Sequence, residues 1–353
     1  MDCFNHQVQI GQVSIAQNAP VCVIAEAGIN HNARFPYVLR LIDVAADAGA
    51  AFVKFQTFRT DEFIADRTAR YSYRHGKKRI TETTYAMFKR LELPLDWYEL
   101  TIRHCKKRRV GFLSTPCDSE SALFLDKLGV NAFKISSEDL INIDFLECVA
   151  KIGKPVILST GMADQDEIDT ALQIFTRRNH KDVILLHCTS LYPTPHHEAN
   201  LLRLVSLHDR YGVLTGYSDH TEGTHAAVVA VSLGARVIEK HITLSRTLKG
   251  PDHRFSLPPN ALKKYIEAIR ETEAILGDPK IAPAPSECEM RLKHRRSVVA
   301  ALDLKKGLKL TQAHIVYKRP GHGLKPCERD RIIGKCLNRD IKKDQMILLK
   351  DVT

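Results

Sequence analysis

Eight short apolar runs, each closing on polar side chains, constrain this chain more than any other feature. They fall at residues 21–25, 52–56, 110–115, 132–136, 155–159, 183–187, 212–217 and 236–240. Runs of this length read as buried strands and are too short for buried helices. Helical stretches lie between them. Val38, Leu41, Ile42 and Ala45 make a stripe within 36–48 that ends at Gly49, and 97–107, 120–128 and 259–276 also read as helices. Eight strands alternating with helices over some 260 residues have the size and rhythm of an α/β fold, a (β/α)8 TIM barrel. An open doubly wound sheet is the alternative. It would place a glycine-rich phosphate turn after the first strand, and Glu26-Ala27-Gly28-Ile29-Asn30 is not one. A short hairpin around Gly11, over 8–15, precedes the repeating pattern.

The pattern stops after Leu276-Gly277-Asp278. The expected division is a barrel over 1–282, a linker over 283–296 and a small β-rich domain over 297–353. The linker opens with Pro283-Ala284-Pro285-Ser286. The small domain reads as a strand over 297–302, a short helix over 311–315, a glycine-rich turn over 317–324 and closing strands over 338–341 and 346–349. So few apolar residues make a marginal core alone, so this unit is expected to dock on a barrel, its own or a partner's.

Composition excludes several classes. With 44% hydrophobic and 26% charged residues, a sizeable core is possible and disorder is not expected. No apolar run is long enough to span a membrane. The start, Met1-Asp2-Cys3-Phe4-Asn5-His6, lacks the basic-then-apolar pattern of a secretion signal. Nine scattered cysteines with no Cys-x-x-Cys argue against a disulfide framework, so free thiols in a reducing cytoplasm are expected. Net charge is +11, and residues 284–353 carry 17 Lys and Arg against 8 Asp and Glu, so nine of those charges sit there. A basic end suits nucleic acid, an anionic small substrate, or nothing beyond solubility. With 7% aromatics and no nucleic-acid signature, nucleic acid is not expected.

A barrel does its chemistry at the carboxyl ends of its strands, and here those ends are polar throughout. His220 and His241 lie 21 residues apart, each following an apolar run, which suits adjacent parallel strands. With Asp219 and Glu239 beside them, they could hold a divalent metal, or they could be two ordinary strand-end histidines. Lys54 and Lys134 sit on the second and fourth strands. Burying them is costly unless an anion or a carboxylate meets them. With hydroxyls from Ser137, Ser159, Ser190 and Ser218 they would form a phosphate or carboxylate cradle; a Schiff-base lysine is the competing reading. The turn Thr189-Ser190-Leu191-Tyr192-Pro193-Thr194-Pro195 presents Thr189, Ser190 and Tyr192 over the barrel. Cys188 lies on an apolar strand end and His187 reads as core, so neither is expected to be a nucleophile. The connection between the second and third strands runs to about 50 residues. It holds Arg67, Arg70, Arg74, His75, Lys77, Lys78 and Arg79 before a helix near 84–91, and is either functional or a solvated loop.

At these residues the chain resembles the sialic acid synthase family. The resemblance is carried by Ile24-Ala25-Glu26-Ala27-Gly28-Ile29-Asn30-His31, Lys54-Phe55-Gln56, Phe133-Lys134-Ile135, Leu158-Ser159-Thr160-Gly161-Met162, His187-Cys188-Thr189, Tyr192-Pro193, Ser218-Asp219-His220, Glu239-Lys240-His241 and Gly250-Pro251-Asp252-His253. The end of the chain, with Lys318-Arg319-Pro320-Gly321-His322-Gly323, resembles that family's SAF, or antifreeze-like, domain. The resemblance implies condensation of phosphoenolpyruvate with N-acetylmannosamine to give N-acetylneuraminate and phosphate. It implies Mn2+ or Mg2+ on His220 and His241. It places phosphoenolpyruvate on Lys54, Lys134, Ser137, Ser159, Ser190 and Ser218, with Gln56 also at the substrate. Glu26 orients the sugar or handles a proton, and Glu239 holds the sugar or a water at the metal. Tyr192 and Asp252 bind sugar hydroxyls. Arg319, from the small domain of a second subunit, reaches the sugar's acyl group, which implies a domain-swapped homodimer.

Two positions depart from the bacterial neuraminate pattern. Ser190 stands where an Asn is usual, and the basic stretch around Arg79 stands where a sugar-binding Asn is usual. The acceptor is therefore open between N-acetylmannosamine, its phosphate and a diacetamido-hexose of the legionaminate or pseudaminate type. A Schiff-base lyase, and a carbohydrate- or nucleic-acid-binding barrel without turnover, are the rival classes.

Overall fold

The computed structural model describes residues 3–76 and 78–353. Met1, Asp2 and Lys77, counted above in the N-terminus and the basic loop, lie outside them. Two compact units divide between Gly277 and Asp278.

The first unit is the expected barrel. Its strands are β1 (Cys22–Gly28), β2 (Phe52–Thr57), β3 (Gly111–Pro116), β4 (Phe133–Ile135), β5 (Val156–Ser159), β6 (Val183–His187), β7 (Leu214–Asp219) and β8 (Val237–His241). Their parallel ladder runs β3-β2-β1-β8-β7-β6-β5-β4, and β3 and β4 lie side by side where the ring closes. Helices between the strands form the outer layer. Each starts and stops for local reasons: Asp164 and Glu167 make a reciprocal cap for Gln165–Arg177, and Gly49, at φ 83°, closes Phe35–Ala48.

The alternation of side chains along each strand decides what the barrel holds. Val23, Ala25, Val53, Phe55, Phe112, Phe133, Ile135, Leu158, Leu185 and Ile238 face outward into the layer shared with the helices. Cys22, Ile24, Phe52, Leu113, Ala132, Ile157, Ile184, Leu186, Leu214 and Val237 face inward and fill the lower barrel. Val8, Ile10 and Ile15, on the hairpin Gln7–Ile10 with Val13–Ala16, join that inner cluster and plug it. Continuing the same parity upward puts Glu26, Lys54, Thr115, Lys134, Ser159, Ser218 and Glu239 on the inner face. The strand order and the parity together thus assemble a polar layer above an apolar one.

The long connection after β2 is more ordered than the sequence suggests. Arg70–His75 and Lys78–Thr83 pair as an antiparallel hairpin, and Thr84–Leu91 follows as a helix capped by the Thr83 hydroxyl.

The second unit has its own core, built from Val298, Ala300, Leu304, Leu310, Ile315, Leu324, Ile332, Leu337, Ile341 and Ile347. Three details differ from expectation. Glu287–His294, inside the expected linker, is a helix with no buried residue. Tyr317 and Lys318 belong to a strand, Ile315–Lys318, paired with Ser297–Ala300, so the glycine-rich turn begins later. The expected closing strands are single bridges, Val299 with Met346 and Leu304 with Ile341, because the chain there touches its neighbours one residue at a time.

Gly216 on β7 tests the packing of the inner face. A Cβ there would come within 2.4 Å of the Val237 carbonyl oxygen and 2.6 Å of Leu186 Cδ2. Overpacking of this kind costs about 1–3 kcal/mol, more than the ~0.4–1 kcal/mol gained by stiffening the unfolded chain. Gly216→Ala is expected to lower the urea midpoint accordingly; an unchanged midpoint would mean the barrel interior is looser than these distances.

Candidate active site at the strand ends

The polar layer contains four charged side chains that are almost fully buried. Lys54 and Lys134 are each 3% exposed, Glu26 1% and Glu239 4%. Lys54 Nζ stands 2.9 Å from Glu26 Oε2 and 3.7 Å from Glu239 Oε2, and donates to Thr115 Oγ1 at 2.9 Å. Lys134 Nζ donates to Ser159 Oγ at 2.6 Å and to the Ile135 carbonyl at 2.9 Å, with Glu239 Oε1 at 4.0 Å. Strand parity turns the Glu26 carboxyl into the barrel opposite Lys54, and a register shift follows between Glu26 and Gly28. Gly28 permits it, at φ 49° with a would-be Cβ only 3.1 Å from Glu26 Oε1.

These groups split in their proton affinities. Burial pushes the Glu26 carboxyl up to about 7, against the pull of Lys54. Burial also acts on Glu239, but Lys134 and Lys54 outweigh it and hold that carboxyl below its usual range. Burial alone would depress Lys54; Glu239 and Glu26 more than offset it, so its ammonium is held above its ordinary value. Lys134 is lowered by burial, with Glu239 opposing. Two carboxyls with unlike protonation beside two lysines are the arrangement in which one side chain moves a proton while another stays charged.

The histidines meet as their spacing suggested. The His220 and His241 rings are 5.6 Å apart. His220 Nδ1 donates to the Thr189 carbonyl at 2.9 Å, which leaves Nε2 with its lone pair. Ser218 donates to Glu239 Oε1 at 3.0 Å, so its proton is not directed at that nitrogen. His241 Nδ1 and Glu239 Oε2 are buried without a hydrogen-bond partner. Burial lowers both imidazoles, His241 strongly, and keeps them neutral. Neutral imidazole nitrogens and an unsatisfied carboxylate oxygen fit a hard-to-borderline divalent cation such as Mn2+ or Mg2+.

A cavity of about 310 Å³ opens on this layer. Gln56, Lys134, Ser137, Ser159, Ser190, Tyr192, Ser218, His220, Glu239 and His241 all line it, so ten of the residues picked from sequence converge. Glu26 and Lys54 lie in the buried layer and are not among its lining. Asp252 stands 4.0 Å from His241 Nδ1, its carboxyl raised to about 7 by burial first and by Glu26 second. Arg319 belongs to the second unit and is exposed there.

One reading needs correction and one residue was missed. Asp219 does not face the site. Strand parity turns it outward, where it takes Lys240 Nζ at 2.9 Å and the Tyr265 hydroxyl at 2.7 Å. It braces β7 to β8 and to the helix Pro259–Leu276 from behind the two histidines. Phe255 was missed. Its ring lies 5.1 Å from both His241 and Tyr192, and Gly250-Pro251-Asp252-His253 just before it was the available signal. Cys188 is buried, bonded at 3.1 Å to Ser137, and its thiol is pushed up by burial, in keeping with a cysteine that is not a nucleophile. A Cβ on Gly161 would collide with Ser137, Cys188 and Ser190 side chains, so that glycine keeps the floor of the cradle open.

A (β/α)8 barrel with buried ammoniums and a partnerless imidazole nitrogen at its strand ends defines a barrel enzyme built to take an anionic substrate. The chain belongs to the NeuB family, whose model matches residues 41–281, and the SAF domain matches residues 295–353. It is 40% identical to N,N'-diacetyllegionaminic acid synthase of Campylobacter jejuni, over 92% of this chain and 98% of that one. It is 33% identical to N-acetylneuraminate-9-phosphate synthase of Homo sapiens, over 93% and 92%. Among solved structures it is similar to the N-acetylneuraminic acid (sialic acid) synthetase of Leptospira borgpetersenii, with a TM-score of 0.72 and 36% identity over 81% of this chain and 96% of that one. The resemblance read from the motifs therefore holds across nearly the whole chain.

The raised Glu26 carboxyl has a consequence for stability. A carboxyl whose folded pKa is raised keeps a proton that the unfolded chain releases. Its contribution is fully present below the unfolded value near 4.5 and is lost as pH rises through about 7. The loss is about 3 kcal/mol. Between pH 5 and pH 8, unfolding of metal-free wild type should weaken relative to Glu26→Gln by that order. Parallel pH profiles would show that Glu26 titrates as it does in water.

Proposed function

We propose that this chain condenses phosphoenolpyruvate with the open-chain aldehyde of an N-acetylated hexosamine, releasing phosphate and forming a nonulosonic acid. The observation that carries the reading is the buried layer: two lysines and a ring of hydroxyls beside paired imidazoles, at the mouth of a barrel. Lys54 and Lys134 supply the positive charge for the phosphate and carboxylate of the enol. Ser137, Ser159, Ser190, Ser218 and Gln56 complete its cradle. His220 and His241, with Glu239 beside them, would hold Mn2+ or Mg2+, whose chemistry there is polarisation of the aldehyde carbonyl.

The enol's methylene carbon attacks the aldehyde carbon, and the carbonyl oxygen takes a proton. Water adds at the former enol carbon and loses a proton, and the tetrahedral adduct collapses to the ketone as its hydroxyl proton passes to the departing phosphate. Glu26, poised near neutrality, is the group suited to give the carbonyl its proton and to recover the one that water loses. Tyr192 and Asp252 hold the sugar's hydroxyls. Arg319 acts on the acyl group of a sugar bound to a second copy, which makes the working unit a domain-swapped dimer. Free thiols at Cys22, Cys105 and Cys188 support a cytoplasmic enzyme. The Lys54 ammonium, held above its ordinary value, speaks against an imine at that residue.

Phosphate release from phosphoenolpyruvate in the presence of N-acetylated hexosamines tests the reaction. Chelation should abolish it and Mn2+ restore it, with no covalent adduct trapped by borohydride. A trapped adduct on Lys134 would replace this mechanism with a Schiff-base one. His220→Ala and His241→Ala should each reduce turnover at least ~100-fold with melting behaviour retained. Near-wild-type rates would remove the metal from the scheme. Arg319→Ala should raise the KM of the sugar more than that of phosphoenolpyruvate. The reverse pattern would misplace the small domain.

A further inference from the structure

A second cavity, of about 350 Å³, adjoins the strand-end site and shares Tyr192 with it. One aromatic layer leads from one to the other. The Tyr192 and Phe255 rings lie 5.8 and 5.1 Å from that of His241, and both line the second cavity. Its other walls are the basic hairpin and the loop after β8, which contribute Arg74, Arg79 and Arg254. Glu222 is the one acidic residue in its lining.

The three guanidiniums have no carboxylate within ion-pair distance among the described residues. Two neutral groups of the hairpin are engaged across its own strands: the Ser72 hydroxyl bonds Thr81 at 2.8 Å, and Tyr73 donates to Glu82 at 2.9 Å. Arg74 and Arg79 are direct cross-strand partners in the hairpin. Like charges placed opposite each other destabilise a strand pair. A single exposed arginine needs no explanation. Two that face each other at a cost, joined by a third around one cavity, form the complement of an oxyanion.

We propose that this second cavity binds an anionic substituent on the distal end of the acceptor sugar, a phosphate ester or a carboxylate, through Arg74, Arg79 and Arg254. The proposal rests on the synthase reading above and extends it to the acceptor. The aldehyde end lies at His220 and His241, the Tyr192 and Phe255 rings, tilted against each other at 5.1 Å, flank the carbon chain, and the charged end reaches the hairpin. Acceptors ending in an uncharged carbon would leave the guanidiniums unmatched.

The test compares N-acetylmannosamine, its 6-phosphate and the corresponding 6-carboxylate as acceptors for the full-length, metal-loaded enzyme. The charged form should show a kcat/KM at least ~10-fold above the neutral sugar, falling with salt. Preference for the phosphate or for the carboxylate identifies the anion. The triple variant Arg74→Ala, Arg79→Ala, Arg254→Ala should erase that preference by raising the KM of the charged acceptor, leaving the KM of phosphoenolpyruvate unchanged. Its melting temperature should stay level or rise, since a repulsive pair is gone. Equal use of neutral and charged sugars by wild type, or an unaltered preference in the variant, overturns the proposal. Failure of every acceptor to release phosphate strikes the synthase reading instead. In that event calorimetric titration with the 6-phosphate and the 6-carboxylate decides this one: binding of either that weakens at least ~10-fold in the variant upholds it, and equal or absent binding of both ends it.

Discussion

Everything at the top of this barrel depends on charges held out of water. Lys54, Lys134 and Glu239 are buried as ions, and Glu26 is buried with its proton loosely held. The desolvation of each ion costs several kcal/mol even after local relaxation. Mutual pairing offsets much of it, since Lys54 lies between the two carboxyls and Lys134 beside one of them. The offset is incomplete. With Glu26 protonated, two ammoniums face one carboxylate, and the remainder is an excess of positive charge in a low-dielectric pocket. An anion entering there meets donors already oriented, so little reorganisation is needed when it arrives.

The same alternation that fills the lower barrel with Ile24, Phe52 and Leu113 sets this polar layer above it. Once the eight runs were read as strands, the inward positions followed two residues at a time. That is why the candidate residues at the strand ends were legible in advance. Asp219 was misjudged because its identity beside His220 was weighed before its parity. Strand geometry sends neighbours to opposite faces, and the outward face at that height is where Lys240 and Tyr265 wait. The brace is nonetheless part of the site's construction, for it fixes the two strand ends from which the imidazoles project.

What stayed hidden has a common cause. The basic hairpin alternates polar with polar, and Tyr73 is the one residue of its strands that is fully buried, so no apolar period marks it. The helix Glu287–His294 buries nothing and gives no stripe. In the second unit, apart from the ladder of Ser297–Ala300 with Ile315–Lys318, pairing is made by single bridges such as Lys309 with Cys336 and Leu337 with Val352, between segments too brief to show a period. Hydrophobic patterning reports burial, and elements held by cross-strand hydrogen bonds or by distant partners leave little of it.

On the proposed reading, in which the buried layer takes the enol and the hairpin the sugar, the two ends of the active site are built from different physics. The enol's end is rigid, buried and tied into eight strands, and a changed residue there is felt through the whole charge network. The sugar's end is an exposed hairpin and one loop, joined to the core through Tyr192 and Phe255, where side chains can change without disturbing the barrel. Ions in the buried layer are coupled strongly, while those on the hairpin are screened by solvent and salt. A single exposed arginine can therefore supply little selectivity. Convergence of several on one cavity is what makes discrimination possible there, and it places acceptor choice on the part of the chain that costs the fold least to alter.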